Sequence, residues 1–177
     1  HRGSTTAHLR RTTRVPIHSF ELRPRHHGFA RARLWRARDM HLHRRDSRTG
    51  IAALAASGAL RHGPVFFYLD AHWEHDLPLA EEVDLALRHC PQAVVMIDDF
   101  AVPDDPGYGF DDYGPGKTLS LDYLGSRVAP PTAIWFPACD SRDETGFRRG
   151  CVVLARETEV IRLIDAAPTL RRWPPAS

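Results

Sequence analysis

Two short apolar runs that end in acidic residues constrain the fold of this chain most. Residues 66–73 read FFYLDAHW, and residues 94–100 read VVMIDDF. Runs of this length, rich in β-branched and aromatic residues, predict strands that are buried on both faces of a parallel sheet. Because ligands of open α/β sheets bind at the carboxyl ends of the strands, we expect Asp70, Asp98 and Asp99 to face one ligand crevice.

Three carboxylates at one sheet edge repel one another unless a cation lies between them. Carboxylate oxygens are hard ligands, which suit Mg²⁺, Mn²⁺ or Ca²⁺. We therefore predict a divalent-metal site whose ligands are Asp70, Asp98 and Asp99. The alternative is that these aspartates only cap the helices that follow the strands.

Length and composition fit a single globular domain. The 177 residues are enough for a substantial core. The sequence has no apolar run near the roughly 20 residues that a membrane span requires, and it opens without the apolar segment of a signal peptide. The three cysteines are odd in number and widely spaced, which is typical of free thiols in a reducing compartment. We therefore expect a cytoplasmic protein with no membrane partner.

The net charge of +2 hides two halves of opposite sign. Residues 1–65 carry 14 arginines and three acidic residues, whereas residues 66–177 carry ten basic and 19 acidic residues. A basic half raises the question of nucleic-acid binding. Its arginines are spread over two predicted helices and their loops, and no nucleic-acid motif is present. We therefore do not expect a nucleic-acid partner.

Strand-like and helix-like segments alternate along most of the chain. Strands are predicted at residues 15–21, 40–43, 64–70 and 93–98, and helices at 4–11, 24–38, 47–60 and 79–89. This alternation is typical of a doubly wound α/β domain. Segments 133–136 and 151–155 predict a final antiparallel strand pair. We therefore predict one domain over residues 1–155 and a C-terminal tail over residues 156–177.

A long loop over residues 101–116 reads AVPDDPGYGFDDYGPG. Loops of this length in compact domains are usually functional lids or disordered segments. Three aromatic residues are expected to cover an acceptor or to pack within the loop itself: Tyr108, Phe110 and Tyr113. Four acidic residues are expected to be solvated rather than to act as ligands: Asp104, Asp105, Asp111 and Asp112. A short helix is predicted to follow over residues 117–124.

The order of the element ends resembles that of a known enzyme class. The chain opens with HRGSTTAHL, a later element ends in FELRP, and others end in RRDS, LDAHW and IDDF. This combination resembles class I S-adenosyl-L-methionine-dependent methyltransferases. It is most similar to the metal-dependent O-methyltransferases of the catechol and macrolide-sugar type and to cephalosporin-hydroxylase-like proteins. The resemblance covers about residues 1–155.

That resemblance implies a Rossmann-like sheet whose first strand is missing from this chain. The family has seven strands, so we expect six here. The strands near 15–20 and 65–70 should flank the place of the missing strand. The chain would then begin inside the glycine-rich cofactor loop, with Gly3 and Ser4 at its end.

The resemblance also implies which other residues bind the cofactor. Glu21, at a strand tip, corresponds to the acid that holds the two ribose hydroxyls, and a carboxylate can accept from both. Asp46 and Ser47 correspond to residues at the adenine edge. Two alternatives stay open: Glu21 could cap a helix or pair with an arginine nearby, and Asp46 could be the N-cap of helix 47–60.

The family's metal ligands correspond to Asp70, Asp98 and Asp99. An octahedral Mg²⁺ keeps positions open for substrate oxygens, and a hydroxyl bound to it loses its proton more easily. His72 lies two residues beyond Asp70 and is suited to accept that proton. Asp70 and His72 are therefore the predicted catalytic residues. The alternative for His72 is a surface histidine without a chemical role.

Taken together, the resemblance and the three aspartates imply divalent-metal-assisted methyl transfer from S-adenosylmethionine to a hydroxyl of a small molecule, such as a sugar or a phenolic natural product. Three other functions stay open. The chain could be a degenerate binding protein without activity, a hydroxylase-like relative that uses the same metal crevice, or a nucleic-acid methyltransferase. A homo-oligomer is also left open.

Overall fold

The computed structural model describes residues 4–37, 39–70 and 76–174. Across these ranges the chain forms six α-helices and seven strands, and the strands lie in two sheets. The chain is therefore an α/β protein, as predicted. It divides into two compact units, residues 1–53 and residues 54–177.

The helices and strands have the following bounds. The helices are α1 (Ser4–Thr12), α2 (Pro24–Arg33), α3 (Ser47–Ala56), α4 (Leu79–His89), α5 (Leu121–Leu124) and α6 (Thr158–Asp165). The strands are β1 (Ile17–Phe20), β2 (Met40–His43), β3 (Val65–Leu69), β4 (Ala93–Asp98), β5 (Ala133–Pro137), β6 (Cys151–Ala155) and β7 (Leu170–Trp173). Short 3₁₀ turns occupy Ala59–Arg61 and Gly125–Val128.

The first unit contains a parallel pair of strands. β1 and β2 align so that Ile17 lies opposite Met40 and Phe20 lies opposite His43. Helix α3 packs closely on this pair at Gly50, where a Cβ atom would lie only 2.1 Å from Cε1 of Phe20. Only glycine allows that approach, because any side chain at position 50 would overlap the ring.

The second unit contains a five-stranded mixed sheet in the order β3-β4-β6-β5-β7. β3 and β4 are parallel, whereas β6 runs antiparallel to both of its neighbours. The predicted final antiparallel pair is thereby confirmed.

The sheet of the second unit is buried on both faces. Val160, Ile161 and Ile164 of α6 pack in one cluster with Val94 and Met96 of β4. The alternate residues of the same strand, Val95 and Ile97, point to the opposite face and are also fully buried. Burial on both faces explains why β4 reads as a continuous apolar run.

The number of strands was predicted wrongly, because β7 was missed. The segment LRRW is short and half basic, so it lacks the apolar alternation of a strand. It pairs antiparallel with β5 and forms an edge of the sheet. Helix α6 precedes it, so residues expected as a tail add two elements to the second unit.

Other boundaries also shift. α2 ends at Arg33, before the predicted residue 38, and α5 begins at Leu121, after the predicted residue 117. The three cysteines are free thiols, as expected. None of the described helices is both long and apolar enough to cross a membrane.

Candidate active site

Asp70 and Asp98 lie at the same edge of the five-stranded sheet. β3 ends at Leu69 and β4 ends at Asp98, and Leu69 lies opposite Ile97 in the parallel register. The next residue of each strand is therefore an aspartate at the carboxyl edge. The structure thus brings together the two carboxylates that the apolar runs predicted at this edge.

The environment of Asp70 disfavours its charged form. Burial, followed by repulsion from Asp98 and then from Asp99 and Asp111, raises the pKa of Asp70 to about 6. The four carboxylates therefore share one electrostatic environment. A cation or a proton close to Asp70 would therefore be favoured.

Tyr68 holds the carboxylate of Asp98. Its hydroxyl donates a hydrogen bond to Oδ2 of Asp98, while Oδ1 accepts from the backbone N–H of Asp99 over 3.1 Å. Burial and the charge of Asp98 raise the pKa of Tyr68, so the phenol remains a donor at neutral pH. Asp98 is thus oriented by two donors.

Asp99 already has a cationic partner. Its backbone takes a left-handed conformation, with φ of 54°, and its Oδ1 accepts from Nε of Arg149. Nη2 of the same guanidinium donates to Asp111, whose second oxygen accepts from the Tyr113 hydroxyl over 2.6 Å. The pKa of Arg149 is raised by these contacts, first by Asp99. Arg149 therefore neutralises the side of the cluster that holds Asp99 and Asp111.

The 101–116 loop is fixed to the end of β4. The backbone N–H of Asp111 donates to the Asp99 carbonyl over 2.9 Å, and Gly109 forms an isolated bridge with Arg149. Gly150 completes the junction, since a Cβ there would lie 2.2 Å from the Phe100 carbonyl oxygen. Hydrogen bonds therefore hold the loop in place beside the carboxylates.

The aromatic and acidic residues of this loop have separate roles. Tyr108 is buried and donates to the Cys139 carbonyl over 3.1 Å, while Phe110 keeps 40% of its surface exposed. Asp105 is partly exposed and accepts from both the backbone N–H and the hydroxyl of Ser141. Phe110 is thus the most exposed of the three aromatic residues of the loop.

The arrangement fits a cation with few protein ligands. Within the described residues no three His, Cys, Asp or Glu side chains are arranged to hold a metal ion. Asp70 and Asp98, however, are two adjacent carboxylates of one edge, and Mg²⁺ is commonly bound by one or two carboxylates with waters and substrate oxygens. Asp99 would have to leave Arg149 before it could join them.

Glu21 follows β1 in the first unit. Its Oε1 accepts from the backbone N–H of Arg23 over 2.9 Å, and its Oε2 lies 3.7 Å from Nδ1 of His26. Among the described contacts, Glu21 therefore holds the backbone N–H of Arg23, the residue before α2, and does not bond to an N–H of the helix itself. Each carboxylate oxygen has two lone pairs, so these contacts leave capacity for a further donor.

Asp46 acts as the N-cap of α3. Its Oδ1 accepts from the backbone N–H of Arg48 over 2.9 Å, and Oδ2 accepts from the Arg48 guanidinium over 2.9 Å. The hydrogen bond from Arg48 also lowers the pKa of Asp46. This contact set leaves little capacity for an adenine amine. Ser4 and Ser47 are the first residues of α1 and α3, while Gly3 and His72 lie outside the described residues.

Two contributors to the site were not predicted. Tyr68 precedes Asp70 by two positions, so the period of a strand puts both on one face, and that signal was available. Arg149 lies 50 residues from Asp99, and no local pattern links them.

Comparisons with known proteins bear on the fold. No family model and no curated protein sequence matches the chain. Among solved structures, the chain is similar to protein LPL1258 of family DUF519 from Legionella pneumophila str. Philadelphia 1. The TM-score is 0.50 with 9% sequence identity, and the match covers 93% of this chain and 62% of that one. The chain thus spans less than two thirds of the neighbour's length, and a likeness at this identity concerns fold and not function.

Proposed function

We propose that this chain carries out S-adenosylmethionine-dependent methyl transfer to a hydroxyl of a small molecule, with a divalent cation held by Asp70 and Asp98. The observation that carries the proposal is the pair of aspartates at the ends of two adjacent parallel strands, one of them with a raised pKa. Perturbed carboxylates at a sheet's carboxyl edge are typical of functional sites.

The strand arrangement supports the class I methyltransferase part of the proposal. The resemblance implies a strand between β1 and β3. Among the described strands, β1 pairs only with β2, and β3 is an edge strand whose neighbour is β4. Each therefore has an edge at which a further strand could add. The antiparallel β6 beside β4 agrees with the family's final strand pair.

The residues of the carboxylate edge have distinct roles in this proposal. A bound divalent cation would acidify the acceptor hydroxyl and fix its oxygen. Asp70 and Asp98 would hold it, and Tyr68 keeps Asp98 in one orientation. Arg149 pairs with Asp99 and Asp111 and not with Asp70 or Asp98 among the contacts of the described residues. The chain thereby directs cation affinity to one end of the cluster.

On the cofactor side we retain Glu21 as the acceptor for the ribose hydroxyls. Asp46 is assigned to the N-terminus of α3, since its oxygens are engaged by Arg48. The adenine-edge role then rests on Ser47.

A second mechanism is favoured by the contacts of Arg149. This guanidinium is a resident cation in the cluster, so methyl transfer could proceed without a metal. Asp70, with its pKa of about 6, would then take the acceptor's proton itself. Retention of activity in EDTA would distinguish this route from the metal-assisted one.

The first test measures binding, which needs no known acceptor. Mn²⁺ binding is followed by electron paramagnetic resonance for the wild-type chain, Asp70→Asn, Asp98→Asn and the control Asp122→Asn, which lies on α5. We expect the first two variants to lose binding at least tenfold and the control to bind like the wild type. Equal binding by Asp70→Asn would refute the metal site.

The second test concerns methyl transfer. Calorimetry with S-adenosylmethionine compares the wild type with Glu21→Gln, and labelled methyl transfer is measured with catechol and with methyl glucoside, with Mg²⁺ or EDTA. We expect Glu21→Gln to weaken cofactor binding about tenfold. A wild-type chain that binds neither cofactor nor Mn²⁺ would overturn the proposal.

A further inference from the structure

A short segment of the first unit concentrates positive charge on its surface. Residues 23–36 comprise α2 and the turn after it, and they include no acidic residue. All five arginines of this segment are exposed: Arg23, Arg25, Arg31, Arg33 and Arg36. We refer to this segment as the α2 surface. Its arginines are therefore presented to solvent.

The same segment exposes two aromatic rings. Phe29 is 52% exposed and Trp35 is 72% exposed. The guanidinium of Arg36 lies over the Trp35 ring, 4.4 Å from its centroid. An exposed indole with a guanidinium against one face leaves the other face for a second planar group. Large exposed aromatic side chains indicate a binding surface, because their burial in the core would otherwise stabilise the fold.

The distribution of these residues argues against a membrane surface as the partner. A helix that lies on a membrane segregates its apolar residues on one face and its charges on the other. α2 buries only Ala30, and its arginines and its aromatic residue are mixed around the helix. A partner that offers negative charges and flat apolar rings in alternation matches this pattern better.

We propose that the α2 surface binds single-stranded nucleic acid, with arginines on the phosphates and with Trp35 and Phe29 as stacking platforms for bases. Single strands present unstacked bases, which duplexes do not, and aromatic stacking accepts every base. From the sequence no nucleic-acid partner is expected, because the arginines are spread over two predicted helices. The structure shows that five arginines and two aromatic rings within these 14 consecutive residues are all exposed. The inference rests on the first unit and is independent of methyl transfer.

The test uses fluorescence anisotropy of a fluorescein-labelled 20-nucleotide oligouridylate with the whole chain, titrated at several salt concentrations. We expect the logarithm of the affinity to fall linearly with the logarithm of salt concentration. Arg31→Gln with Arg33→Gln should reduce that slope by about 1.4, since each phosphate contact with a single strand contributes about 0.7. Circular dichroism checks that the variant remains folded.

Stacking is tested separately from charge. Trp35→Ala should weaken binding about tenfold with an unchanged salt slope, and Trp35→Phe should restore most of the loss, because stacking contributes roughly 1–3 kcal/mol per base. Arg142→Gln, an exposed arginine of the second unit, is the control and should bind like the wild type. If Trp35→Ala binds normally, or if the Arg31/Arg33 variant keeps the wild-type slope, the proposal is wrong.

Two competitors address other partners. Polyglutamate should displace the oligonucleotide at least tenfold less well than unlabelled oligouridylate does. Equal displacement would mean that charge alone is recognised, and would refute the proposal that Trp35 and Phe29 stack on bases. Vesicles of phosphatidylserine and phosphatidylcholine should not compete. If they bind more tightly than the oligonucleotide, the surface is a membrane-binding one.

Discussion

The guanidinium of Arg149 joins Asp99 to Asp111, which ties the left-handed turn after β4 to the loop that covers it. The charge pairing and the backbone bridge at Gly109 act on the same junction. One arginine therefore fixes the loop and compensates two of the four carboxylates at the sheet edge.

Arg149→Gln should loosen this junction and leave two carboxylates unpaired. The pairs are partly exposed, so we expect a loss of about 1–2 kcal/mol in the free energy of unfolding. Because the substitution removes the positive charge that pairs with Asp99 and Asp111, Mg²⁺ should stabilise the variant more than the wild type. Thermal unfolding in Mg²⁺ and in EDTA measures both effects.

The control for this prediction is Arg162→Gln. Arg162 makes an exposed pair with Glu159 on α6, and such pairs contribute at most about 0.5 kcal/mol. A similar loss in both variants would mean that Arg149 is only another surface arginine.

Part of the site could be predicted from the sequence. β3 and β4 are uninterrupted apolar runs, so their ends, and with them Asp70 and Asp98, follow from local pattern and the parallel register. The pairing of Asp99 with Arg149 depends on how the chain over residues 101–150 folds back onto the end of β4. That return is set by long-range contacts, such as the approach of Gly150 to Phe100, which no spacing encodes.

Two other elements, one in each unit, show the same division between local and long-range signals. The N-cap role of Asp46 was foreseen as an alternative, since an aspartate before a helix is a local signal. β7 was missed because its pairing with β5 overrides a sequence of weak strand propensity.

Gly150→Ala tests the close approach at the loop junction. A Cβ at this position would lie 2.2 Å from a backbone oxygen, which cannot move without disturbing β4. We expect a loss of about 2 kcal/mol or more, as for other overpacked sites. Denaturant unfolding followed by circular dichroism gives the change.

Gly28→Ala is the matched control. Gly28 lies in α2 with nothing within 4 Å of its added Cβ, so alanine should stabilise by about 0.5–1 kcal/mol through helix propensity. Should Gly150→Ala prove as stable as the wild type, the junction is looser than the geometry implies.

Stability of the first unit should fall as the solution is made acidic. Nδ1 of His18 lies 3.0 Å from Nε2 of His43, so the two rings share one hydrogen bond. Burial and then His41 lower the pKa of His18, and burial and then Arg45 lower the pKa of His43. The unfolded chain therefore takes up protons first, and this contribution to stability is lost as pH falls below about 6.5.

His43→Asn should flatten that dependence by about 0.5 kcal/mol between pH 7 and pH 5, a value reduced for solvent screening. Nuclear magnetic resonance titration of the histidine ring protons, with thermal unfolding at each pH, measures it. His62→Asn is the control and should keep the wild-type dependence. Identical pH profiles for the wild type and His43→Asn would show that the His18–His43 pair does not cause the pH dependence of stability.

Asp70 should destabilise the folded chain at neutral pH, as expected of a carboxylate kept for function. Its pKa is raised from 3.8 to about 6, so between these values the folded state holds a proton that the unfolded chain has released. Stability therefore falls as pH rises through this window and stays lower above it. Asp70→Asn should remove the penalty, which solvent screening reduces to about 1 kcal/mol.

In thermal unfolding, Asp70→Asn should melt about 2–4 °C above the wild type at pH 7.5, and the two should converge near pH 4. Asp122→Asn, the control, should follow the wild type throughout. Adding Mg²⁺ should raise the wild-type melting temperature and leave Asp70→Asn unchanged, because the cation replaces the missing proton only where the carboxylate is present. If the wild type is as stable as Asp70→Asn at pH 7.5 without a cation, the charged carboxylate of Asp70 does not destabilise the fold. The carboxylate edge would then be a structural feature.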